Sequence, residues 1–149
     1  MKNANLLLMP GIMLLVACAG APTQEMSDAR QAVSAAHDVG AAEHASGNVQ
    51  HAEALLDRAE RELERGDFSD ARDDATAARV EAIKAQDIAQ VMSATKAVVQ
   101  QATEQGVLSD EAVSVFNRAL AAADDNRVPE AIRLANEARH LAEQDLNLK

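Results

Sequence analysis

Apolar positions along this chain recur at alternating steps of three and four residues, the period of one helix face. Met26, Ala29, Val33, Ala36 and Gly40 form the first stripe. Thr23 is placed to cap that helix, with Glu25 in the first turn, where negative charge suits the helix dipole. The helix is expected to end near Ala45, ahead of the breaker Ser46-Gly47-Asn48. Asn48 then caps a second helix, whose inward stripe is Val49, Ala52, Leu56, Ala59 and Leu63. Its other face, with Glu53, Asp57, Arg58, Glu60, Arg61, Glu62, Glu64 and Arg65, reads as solvated and laced with i,i+4 pairs such as Asp57–Arg61. Gly66 stops this helix.

Asp67 is the expected cap of the third helix, with Asp70 close to a capping-box position. From Phe68 to Gln105 there are 38 residues without Gly or Pro. The stripe Phe68, Ala71, Ala75, Ala78, Ala82, Ala85, Ala89, Met92, Lys96, Val99 runs through them, interrupted only by Lys96. At about 1.5 Å per residue one such helix is a rod of about 57 Å; the alternative is two helices joined near Ser93. Gly106 ends it. Ser109 caps a fourth helix with the stripe Ala112, Val115, Phe116, Ala119 and Ala123. Asp124 to Arg127 form the next turn. Pro129 sits in the first turn of a fifth helix, where its missing N–H costs least. Ala131, Ala135, Ala138 and Ala142 line that helix with Leu134 and Leu141, and Leu146 to Lys149 are expected to fray.

A shift of 60 residues overlays the second half on the first. Ala52, Arg58, Ala59, Ala71, Ala75, Ala78, Arg79 and Ala82 meet identical residues from Ala112 to Ala142, 8 identities across 31 positions. Leu56 meets Phe116, Phe68 meets Val128, and Gly66 meets Asn126. The pattern predicts an all-α fold, antiparallel hairpins or a bundle of about five helices, built from units near 28–87 and 88–147. Neighbouring units of such repeats cover each other's apolar stripes.

The first residues do not fit this scheme. Lys2 is followed by Leu6 to Ala17, 12 uncharged and mostly apolar residues broken only by Pro10-Gly11. That is too short to span a bilayer, which takes about 20 apolar residues, but it suits a signal peptide. Leu15-Val16-Ala17-Cys18 contains the chain's one cysteine, which has no partner for an internal disulfide. The stretch resembles the lipobox of bacterial lipoprotein precursors. That implies removal of residues 1–17, diacylglyceryl and N-acyl (palmitate-type) chains on Cys18, and a tether over 18–23. Each buried methylene contributes about 0.8 kcal/mol, so more than one chain makes attachment stable. Ala19 after the cysteine, by resemblance to enterobacterial sorting, favours the periplasmic face of the outer membrane. The competing reading is an ordinary secretory signal cleaved near Ala19 or Ala21.

Composition narrows the function classes. The chain carries 14 basic and 24 acidic residues, so without Lys2 the balance is 13 − 24, or −11. This argues against nucleic acid, where cationic contacts to phosphate dominate affinity. With no Trp or Tyr, and only Phe68 and Phe116 aromatic, stacking platforms are scarce. Alanine, about a fifth of the chain, favours helix but buries little area per residue.

The stretch Ala52 to Ala59, the turn Gly66-Asp67-Phe68 and the following Ala71, Ala75 and Ala78 resemble tetratricopeptide packing, without its 34-residue period or aromatic knobs. More closely, Pro22 to Ala89 resembles a domain-of-unknown-function family of small Ala-rich bacterial envelope lipoproteins, whose domain follows a lipobox and carries a Gly-Asp-aromatic turn. Some relatives append an OmpA-like peptidoglycan-binding domain, which this chain lacks. The family brings no established activity.

His37, His44 and His51 lie seven apart, about 10.5 Å per step on one helix, too far to share zinc. They read as surface histidines, and His140 has no neighbouring ligand in sequence. Asp67, Asp70, Asp73 and Asp74 lack the glycine and terminal Glu of a Ca²⁺ loop and read as acids near a helix start. No catalytic, cofactor or metal residues are assigned, and lipidation at Cys18 is the one site. The expectation is a non-enzymatic, lipid-anchored periplasmic interaction or scaffold protein. It binds the membrane through Cys18 and an envelope protein through its helices, with no nucleic acid, and self-association along the alanine stripe as a coiled coil remains open. The alternative is a carrier or chaperone holding a lipid or unfolded client between helices.

Overall fold

Alanine is the commonest residue of the buried core, and that choice sets how the helices pack. The structure is a computed structural model describing residues 20–148. Its elements are α1 (Thr23–Asp38), α2 (Ala41–His44), α3 (Ser46–Arg65), α4 (Phe68–Glu104), α5 (Asp110–Asp124) and α6 (Val128–Asn147). The fold is all-α, with no strand among the described residues.

The spine is α4, a single uninterrupted helix of 37 residues, about 55 Å long, with no break at Ser93. It packs against every other helix. Toward its start, α1 runs parallel to it and α3 antiparallel. Arg72 meets Glu25 and Gln86 meets Ala32 on α1, while Glu81 meets Asn48 and Asp74 meets Arg58 on α3. Toward its end, α5 and α6 form an antiparallel hairpin, with α6 parallel to the spine. Thr95 reaches Ala135, and Ala102 clusters with Ala112 and Ala142. Two three-helix bundles therefore share one helix.

Positions sixty apart hold equivalent places in the two hairpins. Ala52, Ala59, Ala71, Ala75, Ala78 and Ala82 are buried, and so are Ala112, Ala119, Ala131, Ala135, Ala138 and Ala142. Gly66 (φ 83°) and Asn126 (φ 56°) both take the left-handed conformation after a helix. Each turn closes the same way. Gly66 N–H donates to Leu63 and Asp67 N–H to Glu62; Asn126 N–H donates to Ala123 and Arg127 N–H to Ala122. This pair of bonds satisfies the last carbonyls of a helix and reverses the chain. The equivalence does not extend to the first helix of each bundle. Ala32 faces Gln86, 54 residues on, whereas Thr95 faces Ala135, 40 residues on.

Several sequence expectations change. Among the described residues there are six helices, because Gly40 (φ 69°) breaks the first stripe at an exposed turn. The second break falls at Ala45, not at Ser46-Gly47-Asn48, which lie inside α3. Asn48 is no cap but a buried residue, 2% exposed. Thr23 opens α1, with Pro22 ahead of it. Asp67 makes no capping bond through its side chain, which turns to Arg65 at 3.5 Å; Ser109 does cap, accepting from Ala112 N–H at 3.3 Å. On α4 the stripe passes through Thr95 rather than Lys96. Thr95 is fully buried, its hydroxyl donating within range of both the Val91 and Ala135 carbonyls, while Lys96 swings out to Glu43.

The apolar bulk is concentrated in a few side chains: Met26, Ile88, Met92 and Leu134 are the largest fully buried ones. Elsewhere a methyl group meets a methyl group. Ala78 is fully buried in a cluster with Met26 and Ala29 of α1 and Leu55 and Ala59 of α3. Leucine there forces the three helices apart. Ala78→Leu is expected to cost about 1–3 kcal/mol, read as a lower urea midpoint at unchanged m-value; an unaltered midpoint contradicts close packing at this layer.

Candidate functional site

The candidate site from sequence, Cys18, lies outside the described residues. What the structure shows is how the chain just after it enters the fold. Gly20 is exposed, and its carbonyl accepts from the Arg72 guanidinium at 3.0 Å. Pro22 is fully buried, and Met26, one turn on, is 1% exposed. The chain is therefore gripped by α4 two residues beyond Cys18. This end of the molecule gathers the start of α1, the end of α3 and the start of α4.

Its charges are mostly matched. Arg72 Nε donates to Glu25 at 2.8 Å. Glu25 lies below the usual glutamate range, first through backbone hydrogen bonding near the helix start and then through Arg72. Arg58 of α3 makes a two-pronged hydrogen-bonded pair with Asp74 of α4. That pairing holds Asp74 below the usual aspartate range despite burial. Glu62 completes the group. It was expected on the solvated face, yet its side chain is only 12% exposed and its Oε2 has no hydrogen-bond partner among the described residues. Burial, reinforced by the Asp74 carboxylate, pushes Glu62 up from the usual range. Asp74 likewise departs from expectation, as a buried α3–α4 tie rather than a solvated acid near a helix start. Asp70 contributes to raising Glu62, and Asp67 faces Arg65.

A second polar joint connects the two bundles. Asn48 Nδ2 of α3 donates to Glu81 Oε2 at 2.9 Å and to Asn126 Oδ1 at 2.8 Å. Lys84 Nζ donates to Glu81 at 2.6 Å. Burial raises Glu81, but the bonds from Lys84 and Asn48 outweigh it, and the net shift is downward. Asn126 is the left-handed residue of the α5–α6 turn, so this joint pins that turn to α3 and α4. Sequence reasoning missed its role, because Asn beside Ser46-Gly47 carries the same signal as a helix breaker.

The histidines stay apart. His37 Nε2 lies 2.8 Å from Glu53 Oε1 on the surface, and His51 sits 3.9 Å from Glu81. His140 contacts Gln144. His44 differs from expectation: it is 9% exposed, on α2 against the core. Among the described residues no group of three His, Cys, Asp or Glu side chains is placed to hold a metal ion. Among the same residues no helix is long and apolar enough to cross a membrane.

The spine and the bundle around its first half correspond to a known unit. The family model described as Domain of unknown function (DUF4398) matches residues 24–102, just over half of the chain. The chain belongs to the DUF4398 family. The match begins at the start of α1 and stops two residues before α4 ends, so the DUF4398 unit is the first bundle with nearly all of its spine. The α5–α6 hairpin lies beyond it. No curated protein and no solved structure matches the chain.

The Glu62 geometry makes a pH prediction. Its folded pKa is raised, so its contribution to stability is complete below the unfolded value and is lost as pH rises through the folded value. Asp74 acts in the opposite sense, stabilising above its unfolded value and losing that contribution as pH falls through its lowered folded value. Glu62→Gln removes the buried charge and supplies a donor toward Asp74. It is expected to raise the melting temperature at pH 7.5, with the gain shrinking toward pH 4; an equal or lower melting temperature at pH 7.5 contradicts the arrangement.

Proposed function

We propose that this DUF4398 protein is a lipid-anchored scaffold of the bacterial cell envelope, non-enzymatic, attached through acyl chains on Cys18. The observation that carries the reading is the gripped entry of the chain. Only Ala19 separates Cys18 from Gly20, whose carbonyl is held by Arg72 on the spine. Two residues span at most about 7 Å. An acylated cysteine there fixes the α1–α3–α4 end of the bundle against a bilayer surface, while a spine of 37 residues places its opposite end about 55 Å along, with the α5–α6 hairpin packed on its second half. A rigid body attached at one end and free at the other suits presentation of a surface to a second envelope protein.

The chemistry of the anchored end supports lipid, rather than charge, as the source of attachment. The cations Arg58, Arg65 and Arg72 at that end are engaged by Asp74, Asp67 and Glu25, and the chain as a whole has a formal charge of −10. Such a surface gains nothing from anionic headgroups. The outer membrane is the proposed location, on the strength of Ala19 after the cysteine. The carrier reading has less support, because Met26, Ile88, Met92 and Leu134 already fill the space between the helices.

Replacing the thiol tests the proposal. In cells, the native protein is expected to incorporate a clickable palmitate analogue and to band with outer-membrane markers in a density gradient. Cys18→Ser is expected to lose both. A variant that still bands with the membrane would rule out the cysteine as the anchor.

A further inference from the structure

We propose that the cleft between α1 and the first half of α4 binds a small zwitterion of the amino-acid or dipeptide class, with Arg79 holding its carboxylate and Asp28 its ammonium group. The cleft has a volume of about 380 Å³ and is lined by Asp28, Ala32 and Ala35 from α1 and by Arg79, Ile83 and Gln86 from α4, with Gln31 at its edge. That volume lies within the roughly 300–1,000 Å³ usual for small-ligand sites.

The distinguishing feature is an arginine that has no partner among the described residues and lines a cleft together with an acid. Most cations of this acidic chain are engaged by carboxylates, as Arg30, Arg58, Arg72, Arg127 and Arg133 are. Among the described residues Arg61, Arg79 and Arg118 make no hydrogen bond or ion pair, and of the three only Arg79 lines this cleft, with Asp28. Asp28 accepts one hydrogen bond, from Gln24 at 2.7 Å, which leaves acceptor capacity unused. Opposite charges thus face one small space from two helices without neutralising each other. A guanidinium presents a planar fork that matches a carboxylate in two-pronged fashion. The apolar part of the lining is Ala32, Ala35 and Ile83, the last 39% exposed. One Gln86 amide N–H is committed to the Ala32 carbonyl at 2.9 Å, which leaves the second N–H to donate and the oxygen to accept.

The second hairpin supplies an internal control. Sixty residues on, Arg79 corresponds to Arg139 and Ile83 to Glu143. Arg139 donates to Asn136 at 3.0 Å, and its Nε lies 3.8 Å from Glu143, one turn along the same helix. In the first hairpin that quenching glutamate is an isoleucine. The substitution both frees the arginine and greases its neighbour, the two changes a site for a carboxylate with an apolar side chain requires. Nothing in this inference depends on the lipid anchor, so either can fail alone.

The test is an NMR titration of the full-length protein with L-alanyl-L-leucine, its N-acetyl form and its C-terminal amide. The free dipeptide is expected to shift the Arg79 side-chain and Ile83 methyl signals saturably, with the amide and the N-acetyl form each binding about tenfold more weakly. In Arg79→Gln the advantage of the free carboxylate disappears, and in Asp28→Asn that of the free ammonium. Both substitutions lie on the surface, and unchanged circular dichroism confirms the fold. Absence of saturable shifts, equal binding of all three peptides, or an Arg79→Gln protein that retains the carboxylate preference overturns the proposal.

Discussion

Close approach of helices whose contact faces are alanine is the constraint that the rest of this structure obeys. A methyl group contributes little apolar area, so the core gains by bringing backbones together and not by filling volume with large side chains. That demands long, straight, uninterrupted contact faces. It explains why the largest element is a single spine and why most turns are made at left-handed residues, Gly40, Gly66, Gly106 and Asn126, with a further break at Ala45. It also explains why both bundles use the same helix: sharing α4 gives each hairpin a full-length partner without a further element.

Alanine faces are permissive about register, since one methyl resembles the next. The buried polar groups supply what the stripe lacks. Thr95 reaches the Ala135 carbonyl and sets α6 against the spine. Asn48 joins Glu81 to Asn126 and sets the α5–α6 turn against α3 and α4. Arg58 and Asp74 set α3 against the start of α4. Each tie links elements that alanine contacts alone would let slide. The cost is visible at Glu62, where a buried carboxylate oxygen is left without a partner among the described residues, beside Asp74.

The helical architecture was legible in the sequence because a 3-4 alanine stripe has few other solutions, and because Gly66, Ser109 and Pro129 carry position-specific backbone chemistry. The continuity of α4 past Ser93 followed from the absence of any breaker. What could not be read were the choices made by tertiary contacts. Gly40 was indistinguishable from a small stripe residue until its positive φ was known. Asn48 offered a cap and a buried bridge with equal local plausibility, and Lys96 masked the true stripe residue one position before it. Glu62, Asp74 and His44 look solvated in one dimension, since burial of a polar group depends on what the neighbouring helix brings to it. The proposed anchor is the reverse case: it rests on a local motif alone, outside the described residues, and the fold adds the grip of Arg72 on Gly20 immediately beyond it.

The functional account rests on that spine being one stiff element, gripped near the proposed anchor and carrying a second hairpin on its other half. Spin labels on the exposed positions Asp73 and Gln100, introduced as Asp73→Cys and Gln100→Cys in a Cys18→Ser background, measure it by double electron–electron resonance. The account predicts one narrow distance distribution centred near about 40 Å, the rise of 27 helical residues. A broad or two-peaked distribution, or a markedly shorter distance, would show a hinge within α4 and contradict it.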